Sequence, residues 1–170
     1  MLAAGAHAPR QLGLFAIATI AAAAASLGSC SGGASSLIPA DYRSTFVMVR
    51  NCRMTTEHTA PAGHPTTITN IVVYVNSSSA AAYNANANPL PVGTVVLKEE
   101  HDDPGCNHVV AYSLGRKESA GYDPAHGDWH WQHILATGAV ETDGRTPTCN
   151  TSSCHSAPAC LARDFMCTEP

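Results

Sequence analysis

The chain has 170 residues, nine Lys and Arg against thirteen Asp and Glu, and a formal net charge of −4 with histidine neutral. Its Lys and Arg form no cluster and only Lys98 and Lys117 are lysines, which excludes a nucleic-acid surface, because neutralising phosphates needs a basic stripe. Beyond the N-terminal apolar run, no stretch approaches the roughly 18 apolar residues of a spanning helix, so no membrane-spanning domain is expected.

Residues 1–29 read as a targeting segment. Arg10 supplies a positive start, and Leu12 to Leu27 is an alanine-rich apolar run without charge. It closes on Leu27-Gly28-Ser29-Cys30, which resembles a bacterial lipobox, where cleavage precedes the cysteine and its thiol carries a diacylglycerol. The expectation is an exported protein of the periplasm or cell envelope, lipidated on Cys30 and touching the membrane through that anchor alone. An ordinary secretory signal is the plainer reading. Residues 30–36, with Ser31 to Ser36 reading SGGASS, form a tether, and 37–170 form one domain by size.

The domain opens with strand character. Phe46 to Arg50 and Cys52 to Met54 are β-branched and partly alternating. Glu57 to Pro65 reads as a loop containing His58 and His64. Thr66 to Asn76 (TTITNIVVYVN) is a strand dense in Thr, Ile and Val. A helix over Ala80–Ala87, capped by the preceding serines, is ended by Pro89 and Pro91. Gly93 to Glu99 is a third strand, Asp102 to Gly105 a turn, and His108 to Leu114 a fourth strand. A loop through Pro124 and Gly127 leads to a fifth strand over 128–138, and a short helix is expected at Ala159–Met166. Short connections favour antiparallel neighbours. The pattern predicts a single α+β domain, an antiparallel sheet of about five strands with a few packed helices.

Near the C-terminus stands CNTSSCH, with Cys149, Cys154 and His155. A cysteine pair ending in Cys-His attaches c-type haem: the thiols add to the vinyl groups and the imidazole becomes the proximal iron ligand. Here four residues separate the cysteines, where the usual motif has about two. The competing reading is disulfide pairing of Cys149 and Cys154, with each other or with other cysteines, in an oxidising compartment. If the pair holds haem, Cys52 can join Cys106 and Cys160 can join Cys167. Without haem, sequence does not choose among the connectivities.

Taken together, the segments resemble the cytochrome P-460 family of exported haem c proteins. PAGHPTTITNIVVYVN, with Ala80 to Tyr83 after it, is similar to the family's glycine-histidine loop, strand and short helix. LPVGTVVLKEEH is similar to its Val-Gly-Thr turn and strand ending in Lys-Glu. Gly127-Asp128-Trp129, CNTSSCH and Asp164-Phe165 follow in the family's order. The resemblance runs from about Tyr42 to the C-terminus. It implies a mostly β domain, often a homodimer, with haem c near the sheet. It also implies oxidation of hydroxylamine in enzymatic members and binding of gases such as nitric oxide in others. Lys98 matches by motif the lysine that enzymatic members cross-link to the porphyrin, and Glu141 and Asp143 are the two candidates for the acidic residue above the iron.

The remaining residues have plainer alternatives. Lys98 also reads as a strand-end lysine reaching water along its stem. His130 and His133 would face opposite sides of a strand, so His126, His130 and His133 do not converge on a metal. His101 and His108 read as solvated loop residues. Trp129 and Trp131 share one strand face and read as core. With the resemblance, the sequence predicts a haem c protein acting on or binding a small nitrogen species, for which an electron-transfer partner is one expected associate. The rival is a haem-free, disulfide-stabilised lipoprotein that uses the same fold to bind or to support.

Overall fold

A computed structural model of the chain describes residues 33–55, 68–147, 149–150 and 155–167. Residues 1–32, where a targeting segment and the lipidated Cys30 are expected, lie outside the described residues, as do His58, His64 and Cys154. Six strands form one antiparallel sheet in chain order: β1 Phe46–Met54, β2 Asn70–Asn76, β3 Val95–His101, β4 Val109–Lys117, β5 Trp129–Leu135 and β6 Val140–Gly144. The meander follows from short connections, which let each strand fold back on its predecessor. Three short helices accompany the sheet: α1 Tyr42–Thr45, α2 Ala80–Asn84 and α3 Pro158–Leu161. The domain is α+β. Among the described residues no helix is long and apolar enough to cross a membrane.

Both sheet faces are covered, which is why β2 is buried along nearly its whole length instead of alternating. On the first face, Ile71, Val73, Val75, Val96, Trp129 and Trp131 pack against Ala80 and Tyr83 of α2, Leu90 and Met166. On the second, Val72, Tyr74, Leu97, Leu114 and Ile134 pack against Tyr42, with Leu37, Ile38 and Phe46 at the margin. The incoming chain is fixed there by Gln132, whose Oε1 accepts from the Leu37 amide at 2.8 Å and whose Nε2 donates to the Ser35 carbonyl at 2.9 Å.

The sequence reading differs from the structure at several places. The segment expected to extend the fifth strand to Gly138 instead turns: the Gly138 amide donates to the Leu135 carbonyl, and Gly138 takes φ +87°. The chain then returns as β6, a charged edge strand (VETDG) with little strand propensity of its own. The helix after Ser79 stops at Asn84, Ser79 makes no side-chain cap bond, and Asn86 is left-handed at φ +55°. The C-terminal helix ends at Leu161, and Asp164 and Phe165 are left-handed at φ +53° and +67°.

Among the described residues, two disulfides close the fold. Cys52–Cys106 ties β1 to the turn between β3 and β4, and Cys160–Cys167 closes the segment that follows α3. These are the two pairings expected if Cys149 and Cys154 hold haem. Neither bridge uses Cys149 or Cys154.

The C-terminal segment is seated on the first face by Asp164. Its buried carboxylate accepts from Lys117 Nζ at 2.6 Å and from the Leu90 amide at 2.9 Å, and its carbonyl accepts from Trp129 Nε1 at 2.8 Å. Phe165 lies over Gly127, where a Cβ would come within 2.6 Å of the ring.

Trp131 lies flat over Gly115, its neighbour across the ladder. A Cβ at Gly115 would stand 2.7 Å from Trp131 Cζ3, inside contact distance. Gly115→Ala should therefore push the indole off the sheet and cost about 1–3 kcal/mol, the usual range for overpacking. A denaturant melt of the variant checks this, and an unchanged midpoint would show that the ring shifts freely.

Candidate functional site

The sheet register assembles a polar group within the first face. One row crosses the sheet through Arg50, Val73, Lys98, Ser113, His133 and Thr142, and the next carries Ile71, Glu100 and Ala111. Period-two alternation puts Lys98 and Glu100 on the same face as Val96, and His133 on the same face as Trp131. Lys98 is only 9% exposed, which overturns its reading as a solvated strand end. The physical reason is that β3 lies inside the sheet, between β2 and β4, with its face covered.

Hydrogen bonds connect this group. Ser113 Oγ donates to Glu100 Oε1 at 2.5 Å. His133 Nε2 lies 3.3 Å from Glu100 Oε2, and His133 Nδ1 lies 2.8 Å from Glu141 Oε2. The β5–β6 ladder pairs His133 with Thr142 and Ile134 with Val140, so Glu141 occupies the bulge between them. That bulge is what lets Glu141 reach His133. Burial works against the His133 imidazolium, but the hydrogen bonds and charges of Glu100 and then Glu141 outweigh it and raise the His133 pKa.

Asp143 goes elsewhere. It lies opposite Gln132 on the second face, where Asp143 Oδ1 accepts from Gln132 Nε2 at 2.7 Å and lies 2.7 Å from His130 Nε2. Hydrogen bonds from His130, then Gln132, hold its carboxyl below the usual carboxylate range. The two carboxylates that sequence alone left equivalent are therefore separated by the sheet, and only Glu141 reaches the side of Lys98.

One ladder step from His133, Trp131 carries the His155 ring, with centroids 3.9 Å apart and planes 31° apart. His155 Nδ1 lies 2.6 Å from the Phe165 carbonyl oxygen. A carbonyl only accepts, so Nδ1 bears the proton, and in the neutral ring the lone pair lies on Nε2, the nitrogen that would ligate a metal. The His155 amide donates to the Cys149 carbonyl at 3.1 Å, which closes the widened loop and brings the two residues together. Cys149 packs against the first-face core. Cys154 is outside the described residues. Cys149, His155, Lys98 and Glu141 thus share one face of the sheet.

The other histidines disperse. His130 and His133 take opposite faces, as the alternation requires, and His126 bonds to Asp123 at 3.0 Å. His108 is exposed beside Asp102, whereas His101, expected in solvent, is buried at the end of β3, with Nε2 3.4 Å from Glu99 Oε2. Its strand continues two residues past Glu99 and carries it into the second-face layer. There Glu99 also accepts from Tyr42 and Arg43. A surface depression lined by Asp41, Tyr42, Arg43 and Tyr112 lies on that second face, away from His155. No group of three or more His, Cys, Asp or Glu with metal-binding geometry occurs among the described residues.

Glu100 and Ser113 were not singled out by sequence, and His133 entered only as one of three histidines that do not converge on a metal. The signal was present for one of them, since KEEH ends an otherwise apolar strand and Glu100 repeats the phase of Lys98. No family model matches the chain, and none of the curated proteins is significantly similar to it.

A raised folded-state pKa means that His133 contributes stability below its unfolded value of about 6.5 and loses that contribution as pH rises through the folded value. His133→Gln should therefore destabilise the protein more at about pH 6 than at about pH 9. Denaturant melts at both pH values measure the difference, and equal losses would contradict the raised pKa.

Proposed function

We propose that the chain is an exported c-type haem protein of the cytochrome P-460 kind, binding or oxidising a small nitrogen species such as nitric oxide or hydroxylamine. The observation that carries this reading is the His155 imidazole. Its Nδ1 is committed to the Phe165 carbonyl and its ring is held on Trp131, on the same sheet face as Lys98 and Glu141. A proximal ligand needs this tautomer and this restraint. The residues present fit the group: two thiols in a Cys-x4-Cys-His run, an imidazole with Nδ1 engaged, and an aromatic and aliphatic face to exclude water.

Haem c, which Cys149 and Cys154 would hold, would supply a redox-active iron. The chain's own residues do the rest. His155 would ligate the iron, Trp131 fixes its ring, and the Val, Trp and Met side chains of the first face would keep the site dry. Lys98 occupies the motif position of the lysine that the family's enzymatic members link to the porphyrin. Glu141 holds or takes a proton, which a half-exposed carboxylate hydrogen-bonded to imidazole is suited to do. Asp143 has no part, because its side chain belongs to the second face. An electron-transfer partner exchanges electrons with the site, and a homodimer is the assembly that the resemblance implies. Lipidation of Cys30 keeps the protein at the cell envelope.

The test is expression of the full chain with a haem c maturation system, followed by intact-mass and absorbance measurement. The expected result is one added haem that survives acid-acetone extraction, with a Soret band. A colourless protein whose Cys149 and Cys154 appear in disulfide-linked peptides would favour the haem-free binding module.

A further inference from the structure

Glu141, His133 and Glu100 form one continuous hydrogen-bonded line that Ser113 extends from Glu100, and the two carboxylates on either side of His133 have different surroundings. The Glu141 side chain is 38% exposed, that of His133 11% and that of Glu100 0%. The links measure 2.8, 3.3 and 2.5 Å. The line runs across the sheet from β6 through β5 to β3 and β4, so the backbone ladder itself sets its spacing. A bond from the His133 amide to Thr142 Oγ1 at 3.0 Å fixes the outer end.

Among the described residues, the groups facing or flanking His133 are Glu100 and Lys98 from β3, Ser113 from β4, and Glu141 and Thr142 from β6. A fixed ion pair would need one carboxylate. Here each ring nitrogen has its own, one sealed from water and one open to it. Imidazole is the side chain that can take a proton at one nitrogen and release one from the other near neutral pH.

We propose that Glu100, His133 and Glu141 conduct protons between the buried end of the first face and solvent. A proton on Glu100 Oε2 passes to His133 Nε2, the doubly protonated ring gives its Nδ1 proton to Glu141 Oε2, and Glu141 passes it to water. The transfer leaves the ring as the Nε2–H tautomer, and proton exchange with water returns it to the Nδ1–H form. No electrons move and no co-reactant is consumed. The path deepens the haem reading and rests on it for the source of the protons, since oxidising an N–H substrate in a dry site releases protons that must leave.

The experiment is NMR of the ¹⁵N-labelled full chain, reduced and carbon-monoxide-bound where it carries haem so that it is diamagnetic. It measures exchange with water of the His133 ring proton facing Glu100. Glu141→Gln is expected to slow that exchange at least about tenfold, and added formate, a carboxylate in solution, to restore it with increasing concentration. A merely structural Glu141 would not be rescued this way. Exchange that is unchanged or faster in Glu141→Gln, or slowed but insensitive to formate, would overturn the path. Absence of a Soret band in the same sample would remove the haem reading without altering this result.

Discussion

Asp164 ties the last segment of the chain to the sheet, and the position of His155 depends on that tie. Lys117, the Leu90 amide and the Trp129 indole all converge on this one residue, from β4, from the loop after α2 and from β5. Removing one partner of such a buried pair costs roughly 3–5 kcal/mol, because the other charge remains buried. That is a large share of the stability of a domain this size. The same anchor sets the next residue: Phe165 is left-handed, its ring sits over Gly127 and its carbonyl meets His155 Nδ1. Local backbone strain is thus spent on orienting an imidazole.

A second tension lies in the first face itself. Most of it is Val, Ile and Trp, yet Lys98, Glu100 and His133 are buried within it. Burying ionisable groups is costly unless they bond to one another, and replacing such a network by apolar side chains is often neutral or stabilising. A sheet selected for stability alone would not need these residues. Their place beside the Trp131–His155 stack is what a reactive surface requires: a dry floor, a positive group, and carboxylates joined through an imidazole.

Much of the sheet was legible because the relevant signals are local. The Val, Ile and Thr run of β2 and the alternating tryptophans of β5 announce strands on their own. β6 was not legible, since VETDG becomes a strand only by pairing with β5. The site divides the same way. Cys149, Cys154 and His155 stand in one motif, and Lys98 in another. Ser113 and His133 join Lys98 only through register, a non-local property, and a single bulged residue decides that Glu141 and Asp143 take opposite faces. His101 misled for the related reason that β3 runs two residues beyond the point where its composition turns polar.

The central claim is that His155 is an iron ligand presented by its Nε2 atom. Resonance Raman spectroscopy of the ferrous, haem-loaded chain tests it most directly. The account predicts an iron–imidazole stretching band that disappears in His155→Gly and returns when imidazole is added to that variant. A ferrous protein with no such band, or with one that His155→Gly leaves intact, would contradict it.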